Sequence, residues 1–198
     1  EVTATDYDPK IIQFLSEQLR HCDGFEVKLW DASRVPWDGA KKFDLIVATN
    51  VLEHIKNDLS ALSAWRQLLN NKGKLLLIVP NYPSLYTPVD KAVGHFRRYS
   101  KKDIIEKLRK AGFRIDVTFF GNPLAIAGWF INGKILNRDN LSSKFLYLYG
   151  LIKVIFNPFE VILEHYVGLN IVVVADANQA VVADLIKHSS NNKLGKAA

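Results

Sequence analysis

FDLIVATNVLEHIKNDLSALSAWRQLLNNKGKLLLIVP, residues 43–80, is the stretch whose reading decides the fold. Its apolar run Leu45-Ile46-Val47-Ala48 predicts a strand buried on both faces. Thr49-Asn50 end that run, and Ile55, Leu59, Leu62 and Leu69 then recur at helical spacing on one stripe. Gly73 interrupts the helix, and Leu75 to Val79 form a second buried strand that stops at Pro80. Strand, helix and strand with short joins make a βαβ unit, whose parallel strands are linked by a right-handed crossover. Ligands of open α/β sheets gather outside the carboxyl ends of the strands, here Thr49 to His54 and Pro80 to Ser84.

On either side the pattern continues. Val2-Thr3-Ala4-Thr5 reads as a short strand. Asp8 suits a helix N-cap and Pro9 the first helical position, because proline lacks the amide that would be orphaned there. Ile12, Leu15 and Leu19 mark the buried stripe of a helix ending before Gly24, and Phe25 to Trp30 alternate as the next strand. Val35 to Gly39 form a loop into the central strand, with Trp37 against a helix or lining a pocket. Ser100, with Asp103 three positions on, starts a helix through Lys110 that Gly112 ends. Arg114 to Phe120 and Leu169 to Ala175 complete the strands.

Asp44-Leu45-Ile46 followed by Asn50-Val51-Leu52-Glu53-His54 resembles the fourth-strand motif of class I S-adenosylmethionine (SAM)-dependent methyltransferases. Asp90, then Gly94-His95-Phe96-Arg97-Arg98-Tyr99-Ser100 and Ala111-Gly112-Phe113, are similar to a bacterial branch of these enzymes that often accompanies glycosyltransferases. The likeness covers roughly Val2 to Phe120 and resumes at Gly168 to Ala175. It implies an α/β, Rossmann-like, mostly parallel sheet with an antiparallel last strand. It also implies that Asp6, with Tyr7 beside it, holds the SAM ribose, that Asp31 and Ala32 hold the adenine, and that Asn50 and Val51 face the methionine part. From the residues alone, Asp6 reads equally as a solvated loop aspartate and Asp31 as a turn residue bonding its own backbone.

The family's glycine-rich loop would precede Glu1, and no such run occurs in the chain. With no initiator methionine, the chain reads as N-terminally truncated, a fragment or processed form. Residues 1–176 then make one methyltransferase-like domain and 177–198 a tail, with a short apolar helix at 180–186 and a frayed polar end.

Methyl transfer from a sulfonium demands alignment and a nucleophile in its reactive protonation state. His54 and His95 are the candidate catalytic residues, since histidine titrates near neutrality; each also reads as a loop-holding group. Tyr82 and Tyr86, on an aromatic loop at a strand's carboxyl end, and Asp90, Arg97, Arg98 and Tyr99 are the candidate substrate contacts. The two arginines precede a helix N-terminus and suit a phosphate or carboxylate, or else form an ion pair with Asp90.

The segment from Gly121 to Val167 exceeds what a hairpin needs and is strongly apolar, an insertion reading as a helical lid, a membrane or lipid-tail contact, or a dimer face. Lys153, Asn157-Pro158 and Glu160 count against a membrane span. One cysteine and five scattered histidines predict no metal site and suit a reducing, cytoplasmic setting, with peripheral membrane contact as an option. A net charge of +6 favours anionic partners mildly, but the basic residues form no continuous stripe for nucleic acid.

The leading expectation is therefore SAM-dependent methyl transfer, at oxygen, to a small or lipid-linked acceptor. An NAD-type oxidoreductase and a degenerate, non-catalytic docking module are the alternatives.

Overall fold

The computed structural model describes residues 1–33, 42–140 and 143–177. The expected loop at 35–39 and the tail helix at 180–186 lie outside the described residues. The chain divides into two compact units, Glu1–Lys41 and Lys42–Ala198.

In the first unit, β1 (Val2–Asp6) and β2 (Phe25–Leu29) pair in parallel, with Val2 opposite Phe25 and Asp6 opposite Leu29. They are joined by α1 (Pro9–Gln18), which starts as the sequence predicts: the Asp8 carboxylate accepts the Lys10 amide at 2.8 Å and Pro9 opens the helix. The helix ends at Gln18, and the chain turns back through Gly24 at φ +82°, a left-handed conformation that favours glycine. Ile12, Leu15 and Leu19 are half-buried along one stripe.

The second unit is built on a four-stranded sheet in the order β3-β4-β6-β5: β3 (Phe43–Thr49), β4 (Leu69–Pro80), β6 (Asn170–Asp176) and β5 (Arg114–Gly121). β3 and β4 are parallel, the register running from Leu45 opposite Lys74 to Thr49 opposite Ile78. β6 runs antiparallel to both neighbours and lies between β4 and β5. Between β3 and β4 come a 3₁₀ turn at Leu52–His54 and α2 (Asp58–Leu68), which Asn57 caps by accepting the Ser60 amide at 3.2 Å.

Three expectations need correction here. Leu69 does not end the helical stripe; it begins β4, opposite Phe43. Gly73 lies within the strand, where a Cβ would stand 2.9 Å from the Phe43 carbonyl oxygen; close approach of β3, rather than a helix stop, explains the glycine. β3 is also not buried on both faces, since Leu45 and Val47 are exposed while Ala48 is buried.

The core sits where α2 and α4 (Lys101–Lys110) cover the sheet. Leu75, Leu77 and Val79 of β4, Ile171 and Val173 of β6, Leu62 of α2, and Ile104 and Leu108 of α4 have no exposed surface. Fully burying each such side chain is worth about 1.5–3 kcal/mol. α4 begins as predicted, with Ser100 accepting the Asp103 amide at 3.1 Å, and ends at Gly112, φ +87°.

The long connection between β5 and β6 is helical: α5 (Ala125–Trp129), a wider turn at Phe130–Ile135, and α6 (Ser143–Leu163). Among the described residues, no helix is long and apolar enough to cross a membrane.

Candidate functional site

Asn50, at the end of β3, and Tyr82, just beyond β4, both have left-handed backbones, φ 51° and 59°. Residues with side chains rarely adopt this conformation, least of all bulky ones, and such strain gathers at functional sites. The two strand ends are parallel neighbours, and the Asn50 amide donates to the Ile78 carbonyl at 3.0 Å.

The segment from Asn81 to Tyr99 folds over this rim. Asn81 is buried; its side-chain amide donates to the Gly168 carbonyl at 2.9 Å, and its side-chain oxygen accepts the Tyr82 amide at 2.8 Å. The short helix α3 (Pro88–Ala92) is opened by a capping box in which Asp90 Oδ2 accepts the Thr87 amide at 2.9 Å. Asp90 has no exposed surface, and its Oδ1 accepts from Arg98 Nε at 2.8 Å and lies 2.8 Å from His95 Nδ1. Desolvation alone would raise its pKa, but the His95 and Arg98 hydrogen bonds prevail and hold the carboxyl below its ordinary range.

His95 is thus fixed on both sides: its ring by Asp90, and its carbonyl by the Tyr86 hydroxyl at 2.7 Å. Its other nitrogen, Nε2, points toward Glu53 Oε1 at 3.8 Å. The His54 ring meets the His95 ring edge-on, centroids 4.7 Å apart. Burial, then the neighbouring His95, lower the His54 pKa. Glu53 has no exposed surface, and neither carboxylate oxygen makes a hydrogen bond of good geometry. Its own backbone amide, His95 and Arg98 act on it more weakly than desolvation, which pushes its pKa up to about 7. The Phe96 amide donates to the Glu53 carbonyl at 2.9 Å and ties the two segments together.

The arginines separate. Arg98 is enclosed: besides Asp90 it donates to the Asn81 carbonyl at 3.0 Å, and its guanidinium lies 4.4 Å from the centroid of the Trp129 ring of α5. Arg97 pairs with Asp58 at 2.8 Å and donates to the Lys56 carbonyl at 2.7 Å. Tyr99 is fully buried, its hydroxyl donating to Asp58 at 3.0 Å; burial and the Asp58 charge raise its pKa. Asp58 in turn feels desolvation upward, but Arg97, Lys107 and the Tyr99 hydroxyl outweigh it and hold its carboxyl low. Of the residues named from the sequence, the fold brings Asn50, Val51, His54, Tyr82, Tyr86, Asp90, His95, Arg97, Arg98 and Tyr99 to this end of the second unit.

The insertion reaches the same frame. Beyond the stacked Trp129, Gly133 is buried so tightly against Thr87 that a Cβ would stand 2.5 Å from Thr87 Cγ2. Glu53, Asp58 and Trp129 went unread as site residues. Adjacency to His54 was a signal for the first; the sequence offers none for the others.

In the first unit, Asp6 and Asp31 follow adjacent parallel strands, and the Trp30 amide donates to the Asp6 carbonyl at 2.9 Å. Asp6 Oδ1 accepts the Asp8 amide at 2.8 Å. Asp31 Oδ1 accepts from the Ser33 amide at 2.9 Å and its hydroxyl at 2.6 Å, the local turn that was the alternative reading. Tyr7 is exposed and Ala32 half-buried.

Residues 3–117 match the family profile described as Methyltransferase domain. An uncharacterized protein of Methanocaldococcus jannaschii, MJ0638, is 40% identical over 73 residues, which are 37% of this chain and 31% of that relative; the match thus spans about a third of the relative's length. Among solved structures, a SAM-dependent methyltransferase of Archaeoglobus fulgidus superposes with a TM-score of 0.52 at 19% identity, over 89% of this chain and 76% of that one. The [4+2]-cyclase SpnF superposes with a TM-score of 0.55 at 14% identity, over 89% and 66%. At such identities the likeness concerns the fold, and the cyclase shows that the fold also hosts other chemistry. With more than half of its length matched by the family profile, and with a mostly parallel sheet that its last strand enters antiparallel, this chain belongs to the methyltransferase domain family and has the class I SAM-dependent methyltransferase fold.

Proposed function

We propose that the chain takes part in SAM-dependent methyl transfer to an oxygen of a small or lipid-linked acceptor. The observation that carries this reading is the fixed His95: Asp90 holds Nδ1, and Nε2 is turned toward Glu53, just past the end of β3. A histidine oriented by a buried carboxylate is suited to accept the proton of an acceptor hydroxyl at Nε2. His54 stands beside it. Asp6 and Tyr7, with Asp31 and Ala32, serve the nucleoside; Asn50 and Val51 serve the methionine part, as the resemblance implies. When bound, SAM supplies a methyl group made electrophilic by its sulfonium. Tyr82 and Tyr86 line the acceptor side. The enclosed Asp90, Arg98 and Tyr99 act from behind as positioning residues, and Arg97 through Asp58.

The helical insertion serves as the lid, since Trp129 and Gly133 already press on the frame that holds His95. A lipid-linked acceptor and peripheral membrane contact draw support from α6. Its Glu160 is buried and its Lys153 donates to the Asn122 side chain at 2.9 Å, while Val154 is 79% exposed and Ile162 64%. A helix with its apolar face outward suits a lipid surface.

Calorimetric titration of the full-length protein with SAM tests the cofactor. Heat and a raised melting temperature are expected, and neither at millimolar SAM sinks the proposal. His95→Ala is expected to lower kcat by about 100-fold or more while leaving SAM binding intact. Liposome co-sedimentation tests the lipid reading separately. SAM-independent sedimentation by a chain that binds no SAM favours a docking module, and NAD binding favours an oxidoreductase.

A further inference from the structure

Glu53 is the anomaly of the site. A carboxylate with no exposed surface normally has its oxygens bonded, because leaving a buried charge unpaired costs several kcal/mol. Both oxygens of Glu53 lack a hydrogen-bond partner. The one enclosed cation nearby, Arg98, is already committed to Asp90 at 2.8 Å. Among the described residues none hydrogen-bonds either oxygen, yet two imidazoles stand close by.

We infer that Glu53, His54 and His95 form a three-ligand site for one divalent first-row metal ion of the zinc class. One ligand atom from each residue can be chosen so that all three lie within 4.8 Å of one another. Two ligands on one ion, at bonds of about 2.1 Å and tetrahedral angles, stand about 3.4 Å apart. The separation of 3.8 Å between His95 Nε2 and Glu53 Oε1 is too long for a hydrogen bond and close to that value. Small side-chain movements of His54 complete the set. The support behind the ligands has the character of a metal site: His95 presents Nε2 because Nδ1 is taken by the Asp90 carboxylate, the outer partner that orients metal-bound histidines. The backbone bond from Phe96 to Glu53 and the Tyr86 bond to His95 hold the two ligand-bearing segments in place.

Two imidazoles and one carboxylate select zinc, cobalt, iron or manganese over calcium or magnesium, which prefer all-oxygen shells. Three protein ligands leave at least one position open, so an oxygen-bearing acceptor or water would complete the coordination. A divalent charge also balances the carboxylate that the protein leaves unpaired. The spacing in the sequence conceals the site because Glu53–His54 and His95 come from separate segments, joined only where α3 and its following loop fold back on the end of β3.

The inference bears on the proton-acceptor role and leaves methyl transfer itself aside. A bound ion would occupy His95 Nε2 and would itself ease loss of the acceptor's proton, replacing direct proton acceptance by His95 in the loaded protein; metal binding is measured without SAM or acceptor. The chain, stripped with EDTA and dialysed, is titrated calorimetrically with Zn²⁺ alone and by absorbance with Co²⁺. One equivalent is expected, with a melting temperature that rises on adding Zn²⁺. Glu53→Gln, which conserves shape, and His95→Ala should each weaken binding by about 100-fold or more and abolish the thermal shift. Asp90→Asn should weaken it by about 10- to 100-fold. His21→Ala, in the first unit, should change nothing. Circular dichroism establishes that each variant is folded, and the thermal shift of the unmutated chain gives a readout that needs no variant. No stoichiometric binding by the unmutated chain, or binding that survives both Glu53→Gln and His95→Ala, overturns the inference and leaves His95 as a proton acceptor.

Discussion

The segment from Asn81 to Tyr99 and the insertion from Asn122 to Val167 are opposites in construction. The first is mostly irregular, yet its buried polar side chains are matched: Asp90 with Thr87, His95 and Arg98, and Asn81 with Gly168 and Tyr82. The second is mostly helical, yet it turns apolar side chains such as Tyr147, Val154 and Ile162 outward. Regular backbone therefore does not mark the well-determined part of this protein. Where the chain leaves helix and strand, side-chain hydrogen bonds do the fixing, and an unmet buried group then becomes conspicuous.

The largest break in this contrast comes from Asp90→Ala. It leaves the Arg98 guanidinium, 1% exposed, without its carboxylate, and removes the anchor of His95 and of the capping box. Unpairing a buried charge in this way costs about 3–5 kcal/mol, and chemical denaturation of the variant should show a loss of that size. A midpoint unchanged from the parent would mean that the frame is not held from Asp90.

Asp58 is the intermediate case, because it ties the same segment to α2. Its folded pKa is depressed below the unfolded value: desolvation pushes it up, but Arg97, Lys107 and the Tyr99 hydroxyl pull it further down. Its contribution is accordingly complete above the unfolded carboxylate pKa of about 4 and fades as pH falls through the lower folded value. Asp58→Asn should cost about 2 kcal/mol at pH 7, and melts repeated toward acid should show the difference from the parent shrinking. A difference that grows toward acid contradicts the assignment.

The smallest effect is expected on the outer face of the insertion. Val154→Lys removes apolar surface that is already 79% exposed, so stability should move by less than about 0.5 kcal/mol. Liposome association should nevertheless fall. A large loss of stability would instead show that this face is covered within the chain.

Legibility followed the range of the forces involved. The crossover from β3 through α2 to β4 and the Asp8 and Ser100 caps were readable, because periodicity and capping act within a few residues. Leu69 was misread as helical because its spacing fits the α2 stripe; pairing with Phe43 across the sheet outweighs that local fit. His54 and His95 were visible as candidates, Asp90 and Arg98 as a possible pair. Their arrangement around Glu53 was not, since a glutamate in a 3₁₀ turn gives no sign of which distant side chains will close over it.

By itself, the sequence determined which segments are strands and helices, where the helices start, and which strand ends carry chemistry-bearing residues; each of these depends on neighbours a few positions away. Only the tertiary structure decided that Arg98 is enclosed, that Glu160 is buried on a mostly apolar helix, and that a carboxylate and two imidazoles converge. Those outcomes depend on burial and on contacts between remote segments, whose free energies exist only once the chain has packed.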